Sequence, residues 1–184
     1  DLLEVANGTI GSRSGNNIEI NPVGSGGLLI SCTTLTIDNT TTSKSILIYG
    51  SQSLTINSAI GDVSGTGGQI QQMAASTVTL GGSSANTYSG NTTTFAGSGL
   101  LILNKSAGVK AIGNNLIISN GSTVRTDAAN QLGTGTPALI TINGNGIFNG
   151  NGNAHKSALA SGSSTSAVTM GGGALTIDNT GTDT

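Results

Sequence analysis

The stretch VTLGGSSANTYSGNTTTFAGSGLLILNKSAGVKAIGNNLIISNGSTVRTDAANQLG, residues 78–133, decides the fold. Short apolar bursts (Val78/Leu80, Leu100–Leu103, Leu116–Ile118 and Val124) alternate with Gly, Asn, Ser and Thr. Each burst has the length of a strand and is too short for a helix. No helical stripe runs through it. Strand, tight turn and strand in unbroken succession are the order of parts in a stacked solenoid.

The pattern continues to both sides. Toward the start lie Leu2/Leu3/Val5, Ile18/Ile20, Leu28–Ile30, Leu35/Ile37, Ile46–Ile48 and Leu54/Ile56, with Ile60, Val63 and Ile70 isolated among glycines. Toward the end lie Leu139–Ile142, Ile147/Phe148, Val168/Met170 and Leu175/Ile177. Some strands are near copies: TLTIDNT at 34–40 returns as ALTIDNT at 174–180, and SLTIN at 53–57 resembles ITIN at 140–143. Successive strand side chains point to opposite faces. Leu35/Ile37, Leu54/Ile56, Ile140/Ile142 and Leu175/Ile177 are therefore expected inside, with the intervening Thr outside. In the central burst either Leu101/Leu103 or Leu100/Ile102 faces inward. Asn-Gly pairs at Asn7, Asn120, Asn143, Asn145, Asn149 and Asn151 suit turns, where Asn tolerates the left-handed backbone. Pro22 and Pro137 cannot donate to an interior ladder and should mark corners.

Such strands recur roughly every 20 residues, which predicts about nine rungs and a rod of ~40 Å at the strand spacing of ~4.8 Å. The expected fold class is all-β, a right-handed parallel β-helix formed as a single segment over residues 1–184. The rival is a sandwich or jelly roll, which would join adjacent strands by hairpins, and INGNGIF at 142–148 has the look of one. Residues 149–167 carry the weakest strand signal and are read as a protruding loop.

One run, NTYSGNTTTFAGSGLLILNKSAGVKAIG, resembles the passenger-associated repeat of bacterial autotransporters and related giant surface proteins. That pattern is N-T-Y-[ST]-G-x-T-T, a short gap, A-G and an L-x-L-N strand. It is met by Asn86, Thr87, Tyr88, Ser89, Gly90, Thr92 and Thr93, then by Ala96, Gly97, Leu101, Leu103 and Asn104. VRTDAANQLG looks like the piece that follows in such proteins. Ser98-Gly99 is an insertion before the strand, read as a small bulge, and Tyr88 is placed at a turn. The resemblance covers about a third of the chain. It implies a β-helical passenger exported to the bacterial cell surface, and it carries over no catalytic residues.

Composition agrees with a thin, layered core. Charged residues make up 8% of the 184, against a usual ~25%, and aromatics 2%, with net charge −2. With so few aromatics, single aromatic hot spots are not expected to carry recognition. Six basic residues and an acidic balance give no electrostatic footprint for nucleic acid. No apolar run approaches the ~18 residues of a membrane span. Cys32, the sole cysteine, can form no internal disulfide and is read as a small buried residue. The chain opens on Asp1 and shows no signal peptide, so it is read as a piece of a longer polypeptide.

Candidate chemistry is sparse. The acids Asp1, Glu4, Glu19, Asp38, Asp62, Asp127, Asp178 and Asp183 are dispersed. Arg125 and Asp127 share one face of a strand and should pair at the surface. His155 is the sole histidine and falls in a Gly/Asn loop. Thr34/Thr36, Thr77/Thr79, Thr92/Thr94 and Thr141 are read as ordinary outward strand residues rather than as a flat ladder of the ice-binding kind. Five Asn-x-Ser/Thr sites, at Asn7, Asn39, Asn91, Asn104 and Asn120, are expected from this composition by chance. The reading names no catalytic, cofactor-binding or metal residue. It expects a non-catalytic stalk or adhesin-like passenger segment outside the cell, with self-association or surface glycans as partners. The alternatives are a self-assembling filament subunit and, from another class, a polysaccharide-acting enzyme.

Overall fold

The computed structural model describes residues 8–10, 17–22, 25–39, 42–63, 67–73, 75–95, 97, 99–119, 121–134, 138–143 and 145–153, and the strand backbones at 168–171 and 174–176. Among these residues there are strands and turns and no helix. In chain order the strands are β1 (Gly8–Ile10), β2 (Ile18–Ile20), β3 (Leu28–Ile30), β4 (Thr34–Ile37), β5 (Ser45–Ile48) and β6 (Leu54–Ile56). There follow β7 (Ala59–Asp62), β8 (Gln69–Gln72), β9 (Thr77–Gly82), β10 (Thr92–Thr94), β11 (Leu100–Lys105) and β12 (Leu116–Ile118). The last are β13 (Thr123–Thr126), β14 (Ile140–Asn143), β15 (Ile147–Asn149), β16 (Val168–Gly171) and β17 (Ala174–Thr176).

Consecutive strands do not pair with each other. The first long sheet runs β2-β5-β8-β10-β12-β14-β16, the second β3-β6-β9-β11-β13-β15-β17, and a short third sheet β1-β4-β7. Every pairing is parallel, so the chain is a β-solenoid. The hairpin rival fails at INGNGIF, where β14 and β15 lie in different sheets. Ile18, Ile46, Ile70, Thr92, Leu116 and Ile140 stand one above the next, five turns apart from first to last. A turn takes between 22 and 28 residues, as hydrogen bonds between neighbouring turns show directly.

Each long sheet therefore holds seven strands rather than nine rungs. Seven strands at ~4.8 Å make a stack of about 30 Å. The difference has a simple cause. The near-copy strands sit on different sides of the coil: TLTI is β4 of the short sheet, LTI is β6 of the second, and ITIN is β14 of the first. Reading them as one repeating strand shortens the apparent period.

Alternation sorts the side chains as expected. Leu35, Ile37, Leu54, Ile56, Leu103 and Ile142 have no exposed surface, and Leu101 and Ile140 are almost as deep. The register of β11 is thus settled with Leu101 and Leu103 inside. Each such Leu or Ile contributes roughly 1.5–3 kcal/mol by leaving water. The inner columns continue through three or more turns, as in Leu54–Val78–Leu101–Val124–Phe148. Leu175 and Ile177 fall outside the described side chains.

Corners are made where they were expected and where they were not. Pro22 lies just past β2, at a corner. Asn151 takes a left-handed φ of 51°, and so does Asn130 at 57°. Gly82 has φ 92°, and a Cβ there would collide with the Asn57 carbonyl of the turn below, so only glycine fits. No bulge interrupts β11, which pairs residue for residue with β9 from Leu100 to Lys105. Ser98 itself, Pro137, and 154–167 of the expected loop lie outside the described residues. Residues 149–153 close β15 with a turn.

Candidate functional site

The third side of the coil is where regular strands end. β7 is the last strand of the short sheet, yet stacking goes on above it. Thr87 N–H donates to Ile60 O at 2.8 Å, Asn86 N–H to Lys110 O at 3.0 Å, and Ala111 N–H to Gln131 O at 2.8 Å. Side-chain amides replace the missing rungs. Asn86, 2% exposed, accepts Ile60 N–H at 2.9 Å and donates to Ala111 O at 2.6 Å, bridging the turns below and above. Gln131, wholly buried, accepts Lys105 N–H at 2.7 Å and returns a bond to Lys105 O at 3.1 Å. An amide carries a donor and an acceptor as a peptide does, so it can stand in for one.

Tyr88 stands just before the bend at Ser89–Gly90 and packs inward from it. It is one of the largest fully buried side chains, with its hydroxyl bonded to the Thr92 hydroxyl. Its ring lies against Gly113, where an added Cβ would overlap both the ring and the Tyr88 carbonyl. Burial pushes the phenol up to about 12, and the bonds to Thr92 and to the Gly113 backbone offset that only in part. Thr92 and Thr94 also depart from expectation, since both are wholly buried. They take their register from Ile70 and Gln72 below and Leu116 and Ile118 above, which face inward. Their hydroxyls are satisfied inside, Thr92 by Tyr88 and Thr94 by Ser122 at 2.8 Å. The other weighed threonines face outward but occupy all three sheets, so they form no single ladder.

The ionisable groups are scattered over the coil. Asp62 Oδ2 accepts Ser89 N–H at 2.8 Å, the Ser89 hydroxyl at 2.6 Å and Gly68 N–H at 3.1 Å, which ties a loop base to the turn above. Arg125 and Asp127 pair through two bonds of 2.6 and 2.7 Å, as their spacing indicated, and Asn151 donates to Asp127 at 3.0 Å. The Asp127 carboxylate, chiefly through its hydrogen bonds, holds Arg125 above its usual pKa. Cys32 is half-buried rather than buried, with its sulfur 3.0 Å from the Ser58 hydroxyl. Among the described residues no three His, Cys, Asp or Glu side chains gather as a metal site, and no helix is long and apolar enough to cross a membrane. His155 lies outside them.

Among the described residues Lys105 is the most strongly perturbed lysine. It is 1% exposed, and its ammonium donates to Gly81 O at 2.7 Å and Ser58 O at 3.1 Å. Desolvation lowers it to about 8. A shallow concavity of about 550 Å³, lined by Gly82, Ser83, Asn104, Lys105, Ser106, Ala107 and Ala128, lies above its stem. The amine is held by carbonyls of lower turns. This arrangement ties turns together, and it offers a substrate no accessible nucleophile. Lys110 is lowered by desolvation too.

A surface feature escaped the sequence reading. Tyr49, Met73 and Phe95 follow β5, β8 and β10 at one position in three successive turns. Their backbones confirm the stacking, with Met73 N–H on Ile48 O at 2.8 Å and Phe95 N–H on Gln72 O at 3.0 Å. The side chains are outward, Phe95 being 37% exposed. The signal was the recurrence of isolated large apolar residues one past a strand, 24 and then 22 residues apart, visible only once the turn length is known.

No family model, no curated protein and no solved structure matches this chain.

Proposed function

We propose that this chain is a segment of a stalk or adhesin-like passenger of a secreted bacterial surface protein, and that its work is mechanical and adhesive rather than catalytic. The reading rests on where the passenger-repeat residues go. Asn86 and Ser89 are spent on joints between turns, an amide bridge and a tie to Asp62, while Tyr88 fills the interior against Gly113 of the next turn with its hydroxyl bonded to Thr92 of its own turn. A motif used in this way keeps a rod stacked where its strands give out. The dispersed charges favour the same reading, since hydrolysis of a polysaccharide needs positioned acids and bases.

The test is electron microscopy and sedimentation of the purified chain over a range of concentrations. A passenger segment stays a monomeric rod. Uniform fibres that lengthen with concentration, with a meridional spacing near ~4.8 Å, would replace this reading with a filament subunit. Release of reducing ends from a polysaccharide by the purified chain would overturn the non-catalytic half.

A further inference from the structure

We propose that the outer face of the first long sheet is a binding surface for an uncharged, extended polysaccharide. The inference deepens the adhesive part of the function proposed above and rests on it. Two kinds of column run up this face, parallel to the solenoid axis. One is the apolar column of Tyr49, Met73 and Phe95. The other, four residues back along the chain at the β8 and β10 levels and continuing to the β12 level, is an amide column of Gln69, Asn91 and Asn115, the last of which also accepts Leu139 N–H at 3.2 Å. Four strand residues place the columns ~13 Å apart, which is the width of a groove or ribbon rather than of a point contact.

The charge pattern selects the ligand. From the β5 level to the β14 level, the outward positions of this face carry no charged side chain. Glu19, one level below Leu47, is the sole charge on the described part of the face. Arg125 and Asp127 belong to the second long sheet and its edge, and Lys105 faces inward. An anionic glycan would find no cation here, and an acidic or basic partner no complement. A neutral sugar needs what is present. The C–H face of a pyranose ring stacks on aromatic rings, and its hydroxyls pair with amides, which donate and accept at once.

The spacing fits as well. Apolar side chains repeat along the axis at the strand distance of ~4.8 Å. That is close to the length of one sugar in an extended β-linked chain, so successive rings would meet successive levels. Gln71 is already oriented between the columns by bonds to Ser45 Oγ and Gln69 Oε1, both 3.2 Å. A pre-ordered amide loses less freedom on binding.

The experiment is isothermal titration of the chain with cellohexaose and chitohexaose, with oligogalacturonate as the anionic comparison and sedimentation of the free chain alongside. Binding of a neutral oligomer is expected, with little or none of the anionic one. Phe95→Ala should weaken it about tenfold or more, and Tyr49→Ala with Phe95→Ala should abolish it. Phe95→Tyr should retain it, and Thr79→Ala, on the second long sheet, should leave it unchanged. Thermal melts matching the unaltered chain show that these outward-facing substitutions leave the fold intact. No binding of either neutral oligomer, or binding indifferent to Tyr49 and Phe95, overturns the proposal while leaving the rod standing. A dimer of the free chain dispersed by Phe95→Ala also overturns it, because a second copy would then be the occupant. Fibres, by contrast, would count against the rod.

Discussion

Stability of this protein should rise between pH 8 and pH 10, and most of the rise should belong to Lys105. Folded, its pKa is about 8; the ordinary value is 10.5. The unfolded chain therefore holds a proton that the folded one has shed, and stability increases with pH across that interval. The contribution is complete above pH 10.5 and is lost as pH falls through about 8. At 1.36 kcal/mol per pH unit the full interval is worth ~3 kcal/mol. That is an upper value, because the concavity beside Lys105 brings solvent near and the Ser58 and Gly81 carbonyls favour the ammonium. Lys105→Met keeps the stem and removes the charge. It should cost little at pH 7, where losing the carbonyl bonds is offset by no longer burying a cation. By pH 10 it should be less stable than the unaltered chain by roughly 2 kcal/mol more than at pH 7. Urea titrations at pH 7, 8, 9 and 10, with midpoint and slope for both proteins, give the difference directly. Lys110 leaves a shallow slope in the variant. Parallel pH profiles for the two proteins would show that Lys105 is not buried as a cation.

Four further changes follow from the same interior. Asn86→Ala strands Ile60 N–H and Ala111 O, and a urea midpoint should report a loss of about 2–4 kcal/mol. Gly113→Ala drives a methyl into the Tyr88 ring and should cost about 1–3 kcal/mol in the same assay. Ile140→Asp puts an unpaired carboxylate into the stack and should cost several kcal/mol, so an unchanged midpoint would remove Ile140 from the core. Above pH 10 stability should fall as Tyr88 resists ionising up to about 12; Tyr88→Phe should abolish that alkaline fall when unfolding is followed by circular dichroism.

The strands with aliphatic alternation were legible because period two and inward burial are the same fact stated twice. Leu54/Ile56 and Ile140/Ile142 needed nothing beyond their own neighbours, whereas the unbroken run Leu100–Leu103 has no alternation and left its inward pair open until the stacking was known. The turn count was not legible, because near-copy strands serve three different sheets and local pattern does not name the sheet. β10 escaped for a related reason. Thr-Thr-Thr has no alternation of its own, and its inward pair is fixed by Ile70 and Leu116, 22 and 24 residues away. The Tyr49–Met73–Phe95 column depends on that turn length in turn, so the misjudged period hid the surface as well. The Arg125–Asp127 pair needed only a spacing of two at the end of β13, with Asp127 one past the strand, and the pairing was read correctly.

The joints explain why one stretch of this chain is so distinctive while the rest is interchangeable. A stacked strand is held by ladder bonds and a pair of inward aliphatics, and many sequences supply both. Among the described residues, the third side above β7 has no regular strand ladder. Its cohesion comes from side chains of fixed shape: an amide long enough to reach two turns, a ring filling the interior, a hydroxyl at the ring's end, and a glycine that leaves the ring room. Each of these requirements admits one or two residue types, so the sequence there is constrained position by position. A side of the coil that is irregular in hydrogen bonding is thereby the most specified in sequence. The same logic places Gln131 against Lys105 one turn on, where β13 no longer pairs with the end of β11 and an amide takes the place of that partner. Tolerance to substitution should thus be lowest on the third side and highest on the outward faces of the long sheets, where a surface can be altered without disturbing the stack that carries it.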